Sequence, residues 1–216
     1  QSKTTLKGIR GIFRQSLMIL GLFCLFSSSL TAQQYINGNL STGPNSSNGT
    51  AAPTGFEWSE VQTGNVNAGF GASIAGSLTL ADDFTVVGGT WTLSKITFFA
   101  YSTGFAGATS PFTDVRVQIF NTDPSVGSPT PVFGDLTTNR LITSSTASLY
   151  RIFNATPGTT RQIWKIEASV NTALTAGTYW IEWQVGTSQP SNFTPPSTVI
   201  GSVTQPGNNS KQHDLT

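Results

Sequence analysis

From Phe56 onward, apolar residues recur at every second position in short runs separated by clusters of Gly, Asn, Ser, Thr and Pro. A period of two marks a strand with one buried face. The cleanest case is Asp114–Phe120, where Val115, Val117 and Ile119 share one face and Arg116 and Gln118 the other. Trp91–Tyr101 is dense in β-branched and aromatic residues and predicts a long strand. Ser77–Val86 spaces Leu78, Leu80, Phe84 and Val86 evenly around the acidic pair Asp82-Asp83. In Arg161–Val170, Trp164, Ile166, Ala168 and Val170 fall on one face. In Thr178–Val185, Tyr179, Ile181, Trp183 and Val185 point one way and Trp180, Glu182 and Gln184 the other. The connection through Leu174-Thr175-Ala176-Gly177 suits either a wide hairpin loop or a crossing between sheets. Shorter strands are predicted at Glu57–Val61, Pro131–Phe133, Arg140–Thr143, Ser148–Phe153 and Thr198–Ile200, with reversals at Gly88-Gly89, Asn121-Thr122-Asp123-Pro124 and Pro157-Gly158.

This succession, with no helical periodicity after residue 32, predicts an all-β fold: an antiparallel β-sandwich of jelly-roll type, with a closed barrel as the structural alternative. No repeat of fixed period points to a propeller or solenoid. The predicted β-sandwich domain spans 56–216. Residues 33–55 carry turn clusters such as Thr42-Gly43-Pro44-Asn45 with few apolar residues between them and read as a flexible linker.

The N-terminus has a different pattern. Lys3, Lys7, Arg10 and Arg14 precede the apolar run Leu17–Phe26, which is followed by three serines and Leu30-Thr31-Ala32. This is the basic, apolar and small-residue order of a cleavable secretory signal peptide over 1–32, expected to be helical and to leave Gln33 as the mature N-terminus. Ten apolar residues rise only about 15 Å as a helix, half of a bilayer core, so no membrane span is expected after cleavage. Phe23 stands where a lipoprotein signal places a small residue, which disfavours anchoring through Cys24. The chain begins without Met and stops at Thr216 with no obvious terminator, and the expectation is an incomplete reading frame, its C-terminal end truncated.

The leader changes the charge reading. It holds four of the eleven basic residues and none of the ten acidic ones, so the formal +1 of the whole chain becomes −3 without it. A weakly acidic domain with no Lys/Arg cluster lacks the electrostatic footprint of a nucleic-acid binder. Cys24 is the single cysteine, so the mature part has no thiol for a disulfide, a zinc–thiolate site or a cysteine nucleophile. Such a domain is stabilised by its own core, and the expected compartment is secreted, extracellular or on the outer cell surface.

Several segments are similar to a domain of secreted bacterial proteins: Ala81-Asp82-Asp83-Phe84-Thr85-Val86, Ile96-Thr97-Phe98-Phe99-Ala100-Tyr101, Asn121-Thr122-Asp123-Pro124-Ser125, Val132-Phe133-Gly134-Asp135, Tyr150-Arg151 and Ala176–Trp183. Over roughly residues 56–200 the chain resembles the uncharacterised β-sandwich modules of Bacteroidota that are often found in type IX secretion cargo. The resemblance implies compartment and fold and carries over no catalytic residues. No sorting domain follows Thr216, a departure from that pattern.

Candidate chemistry is sparse. The only histidine, His213, lies in a Gln/Asn/Ser-rich tail, a poor place for the base of a Ser-His-Asp triad, and no Gly-x-Ser-x-Gly elbow is present. Gly69-Phe70-Gly71 and Gly88-Gly89 lack the strand-to-helix setting of a phosphate loop, so a nucleotide is not expected. Glu167 and Glu182 occupy polar strand faces and are the one acid pair with the pattern of a glycosidase, against the plainer reading of a solvent-facing sheet. Asp82 and Asp83 are the most concentrated acidic point and the candidate site for Ca, although strand neighbours point to opposite faces; otherwise no cofactor is expected. Of the five Trp, Trp180 shares the polar register with Glu182 and Gln184 and is the best candidate for an exposed ring that receives a sugar, against the plainer reading of a Trp covered by a loop or by the second sheet; Trp58, Trp91 and Tyr101 are weaker candidates. The expected function is a noncatalytic interaction module for an extracellular glycan or another surface protein. A structural spacer or adhesin-like segment ranks second and a secreted hydrolase third.

Overall fold

A computed structural model describes residues 34–60, 68–152, 156–190, 192–194 and 209–216. The signal peptide and the strand expected at Thr198–Ile200 fall outside them. Eleven strands follow in chain order: β1 Glu57–Glu60, β2 Phe70–Gly71, β3 Leu78–Val86, β4 Trp91–Ser102, β5 Phe112–Phe120, β6 Phe133–Asp135, β7 Leu141–Ile152, β8 Gln162–Leu174, β9 Gly177–Thr187, β10 Asn192–Thr194 and β11 Lys211–Asp214. No helix occurs among the described residues. One sheet has six strands in the order β1-β7-β8-β4-β10-β2, and the other five in the order β11-β3-β9-β5-β6. Among the described residues, the strands pair antiparallel except for β1 with β7.

The two sheets pack face to face through the alternating apolar positions. Phe98 and Ile166 from the six-stranded sheet and Val115, Val117, Ile119, Trp183 and Val185 from the five-stranded sheet belong to one buried cluster. The rings of Phe98 and Trp183 stack across the interface at 4.4 Å and 22°. Such offset aromatic packing adds to the burial of large apolar area. Val115, Val117 and Ile119 are fully buried while Arg116 and Gln118 lie half-buried on the other side, as the alternation of that segment predicts.

β8 and β9 are consecutive but lie in different sheets, so Thr175-Ala176 is a crossing and not a hairpin loop. The segments expected as two strands around 140–143 and 148–153 are joined in β7, where the register shifts between Thr146 and Leu149 and Ser148 takes φ 55°. That shift is a bulge, which lets one strand continue with a local bend. β6 begins at Phe133, with Gly134 at φ 78° in a place where a Cβ would lie 2.2 Å from the Val117 carbonyl oxygen; only glycine allows this close approach to β5.

Residues 36–216 form one compact unit. The stretch expected as linker is tied to it: Thr42 N–H donates to Trp58 C=O and Trp58 N–H to Gly43 C=O, both at 2.8 Å, and Leu40 packs on the outward side of the six-stranded sheet. Its turns provide backbone groups that continue the edge beside β1, and a composition poor in apolar residues hides this role.

Candidate interaction surface

The outward face of the five-stranded sheet is not a solvated polar face. Alternation along β9 turns Thr178, Trp180, Glu182 and Gln184 outward, because Tyr179, Ile181, Trp183 and Val185 enter the core. Pairing then sets Glu182 between Ala81 of β3 and Gln118 of β5, and Trp180 between Asp83 and Phe120. β11 completes the face, with Lys211 opposite Ala81 and His213 opposite Thr79.

Two adjoining assemblies result. Glu182 is only 3% exposed; it accepts hydrogen bonds from Thr79 Oγ1 at 2.5 Å and Gln118 Nε2 at 2.6 Å, and His213 Nδ1 lies 3.3 Å from its Oε1. A buried carboxylate needs such donors, since removing a charge from water without them is expensive. Beside it, Ala81, Phe120 and Trp180 form a small apolar cluster. Lys211 Nζ sits 5.1 Å from the Trp180 ring centroid, in cation–π range. The same ammonium donates to the Asp123 carboxylate and, at 2.7 Å, to Ser125 Oγ. Asp83 Oδ1 accepts from Asn209 Nδ2 at 2.6 Å. Further along, Gln184 Nε2 and Arg116 Nη1 both donate to Leu136 C=O, and Arg116 also pairs with Asp114.

The Lys211 hydrogen bond, followed by those of Ser125, holds the Asp123 carboxyl down to about 2 from its usual 3.8. A carboxyl whose folded pKa is depressed stabilises the fold above its unfolded pKa and loses that contribution as pH falls through the folded one. Asp123→Asn is therefore expected to lower Tm at neutral pH. The gap between parent and variant should close between about pH 4 and pH 2, as thermal unfolding across that range would show. A gap that stays constant down to pH 2 contradicts the pairing.

Trp180 and Glu182 are thus brought together, yet Trp180 is 9% exposed and roofed by Lys211 instead of lying open. Trp91 and Tyr101 belong to the other sheet. Trp91 packs at the end of the core with Nε1 donating to Val87 C=O, and Tyr101 is buried with Leu149 and Ile163 on that sheet's outward side. Asp82 and Asp83 do not converge: Asp82 pairs in the register of Ile181 and accepts from Asn37 Nδ2, while Asp83 takes the register of Trp180. Burial pushes the Asp82 carboxyl up, against the lowering by hydrogen bonds from Asn37 and Ser210. Among the described residues, no group of three or more His, Cys, Asp or Glu is placed to hold a metal ion.

Glu167 and Glu182 lie on opposite outer faces of the sandwich, because their core-facing neighbours Ile166 and Ile181 meet in its interior. That separates the two carboxyls by both sheets and removes the acid pair on which a glycosidase reading rested. Glu167 instead pairs with Lys95 at 2.8 Å and Lys165 at 3.3 Å, chiefly the former holding its carboxyl below the usual range. Thr79, Gln118, Lys211 and His213 were not singled out as site residues in the sequence. Only Gln118 carried a signal, its place on the polar face of β5. The chain matches no family model, no curated protein and no solved structure, so the functional reading rests on its own residues.

Proposed function

We propose that this protein is a secreted or cell-surface, noncatalytic interaction module, and that its contact surface is the outward face of the five-stranded sheet around Trp180, with extracellular carbohydrate as the ligand class. The observation that carries the reading is the combination at one spot of an indole, the Lys211 ammonium, the Asp123 and Asp83 carboxylates and the Asn209 amide. A sugar presents apolar C–H faces and a rim of hydroxyls. An aromatic ring suits the former, and charged and amide groups that both donate and accept suit the latter. Lys211 is 37% exposed at its side chain and stands over the indole, where it is the solvent-facing part of this surface.

Export by a signal peptide cleaved after Ala32, a jelly-roll course of the strands and kinship with the Bacteroidota cargo modules belong to the same reading. They are supported by the leader pattern and by the segments from Ala81 to Trp183. The burial of Trp180 favours a second reading, a structural spacer or adhesin-like segment whose outer face is merely closed by β11.

A glycan array with the full chain separates the two, using Trp180→Ala and Lys211→Ala alongside. The module reading expects retention on a subset of glycans, a loss of roughly tenfold or more in Trp180→Ala, equivalent to about 1.4 kcal/mol, and altered retention in Lys211→Ala. Folded parent protein that binds no glycan moves the assignment to a spacer or a protein contact.

A further inference from the structure

The chain has two Asn-Gly steps, Asn37-Gly38 and Asn48-Gly49, and all four residues are exposed. Asparagine followed by glycine is chemically labile, because no Cβ shields the glycine nitrogen from the side-chain carbonyl carbon of the asparagine. Both steps meet water, so what separates them is how each is held.

Asn48 is locked. Its Oδ1 accepts from Ser46 Oγ at 2.6 Å, Thr50 Oγ1 at 2.7 Å and Thr50 N–H at 3.1 Å. The Gly49 N–H is committed to Ser46 C=O at 2.9 Å. Asn37 instead lies ahead of β1 in a stretch without regular structure, and Gly38 takes φ 113°. Among the described residues, no hydrogen bond holds the Gly38 N–H.

The Asn37 side chain faces a carboxyl that tolerates further negative charge poorly. Its Nδ2 donates to Asp82 Oδ2 of β3 at 2.6 Å. Burial pushes the Asp82 carboxyl up, against the lowering by hydrogen bonds from Asn37 and Ser210, and the charge of Asp83 beside it acts in the same direction as burial. Three residues on, Leu40 packs with Tyr101, Leu149 and Ile163 on the outward side of the six-stranded sheet. Segment 37–40 therefore touches both sheets, and Asn37 attaches it to β3.

We propose that Asn37 is a site of spontaneous deamidation in the folded protein, and that the product releases the N-terminal arm from β3. In the reaction the Gly38 backbone nitrogen attacks Asn37 Cγ. The N–Cγ bond forms, the Cγ–Nδ2 bond breaks, and Nδ2 leaves as ammonia with the proton of the Gly38 N–H. Water then opens the succinimide ring at either carbonyl and leaves aspartate or isoaspartate at position 37. A hydrogen-bond donor has become a carboxylate facing Asp82, and two like charges at that distance repel. This inference is independent of the carbohydrate reading.

The test is incubation of the full chain in mildly alkaline buffer, with peptide mapping by mass spectrometry at intervals. Freeing the Asn48 carbonyl and the Gly49 N–H breaks four hydrogen bonds, whereas the Gly38 N–H is already unheld. Position 37 should therefore convert roughly tenfold faster than position 48, or more. Asn37→Asp supplies the product directly. It is expected to lower Tm by about 2–4 °C at neutral pH. Adding Asp82→Asn to it should restore Tm, because an amide and a carboxylate again face each other with roles exchanged. The gap between Asn37→Asp and parent should also close as pH falls through the carboxylate range, where protonation of either partner removes the repulsion. Conversion at position 37 no faster than at position 48 overturns the proposal. So does a Tm of Asn37→Asp equal to the parent's, or one that Asp82→Asn fails to restore, since either result separates residue 37 from Asp82.

Discussion

Trp183→Ala is expected to lower stability by about 3–5 kcal/mol, the range for removing a large buried aromatic. Trp183 is 7% exposed, lies cross-strand from Leu80 and Val117, and stacks on Phe98 of the opposite sheet. It is one of the side chains that hold the sheets at their spacing. Its removal leaves a cavity that cannot collapse, because both backbones are fixed by their ladders: β9 between β3 and β5, and β4 between β8 and β10. Trp183→Phe keeps a ring against Phe98 and should cost clearly less. Urea unfolding measures both, with the midpoint falling and the slope unchanged if the native fold persists. A loss below about 1 kcal/mol for the alanine variant would mean that the sheets do not meet through this residue.

The second large effect is expected at Glu182. Glu182→Ala removes the acceptor shared by Thr79 and Gln118, leaving the hydroxyl of the fully buried Thr79 and the amide of the half-buried Gln118 unpaired. Unsatisfied buried polar groups cost about 1–3 kcal/mol each and more where a charge took part, so a loss of about 2–4 kcal/mol follows. Glu182→Gln retains an acceptor oxygen and the shape and should recover part of it. Glu167→Ala is the control. Its partners Lys95 and Lys165 are 51% and 42% exposed at the side chain, and solvent screens such pairs to about 1 kcal/mol or less. Equal losses at the two positions would contradict the assignment of one glutamate to a closed network and the other to pairing with exposed lysines.

These two residues also show how far the sequence could be read. The alternation in β8 and β9 correctly assigned Ile166 and Trp183 to the core and Glu167 and Glu182 to the polar register. Period two reports which side chains share a face, but not whether the second face is covered. Here both outward faces are partly covered, that of the six-stranded sheet by Leu40, Ala68 and Phe193 and that of the five-stranded sheet by the Lys211 and His213 side chains of β11 and the segment around Leu136. The covering strand reads Lys211-Gln212-His213-Asp214, with no β-branched or aromatic residue to announce it. It is held by its ladder to β3, by Gln212 Nε2 on Gly71 C=O and by Lys211 on Asp123, all long-range contacts that no local pattern encodes. Trp180, the best candidate for an exposed ring, is covered for that reason, as the plainer reading of a mostly buried Trp has it. The bulge at Ser148, which joins two expected strands into β7, was hidden because positive φ is imposed there on a residue that does not advertise it.

The central claim, binding without chemistry at the Trp180 surface, is tested most directly by one incubation. The full chain is mixed with a panel of insoluble and soluble polysaccharides, and retained protein and released reducing ends are measured together. The account predicts retention on at least one polysaccharide, greatly reduced in Trp180→Ala, with no reducing ends above the protein-free control. Reducing ends that accumulate with time and protein concentration would contradict it, as would retention that Trp180→Ala leaves unchanged.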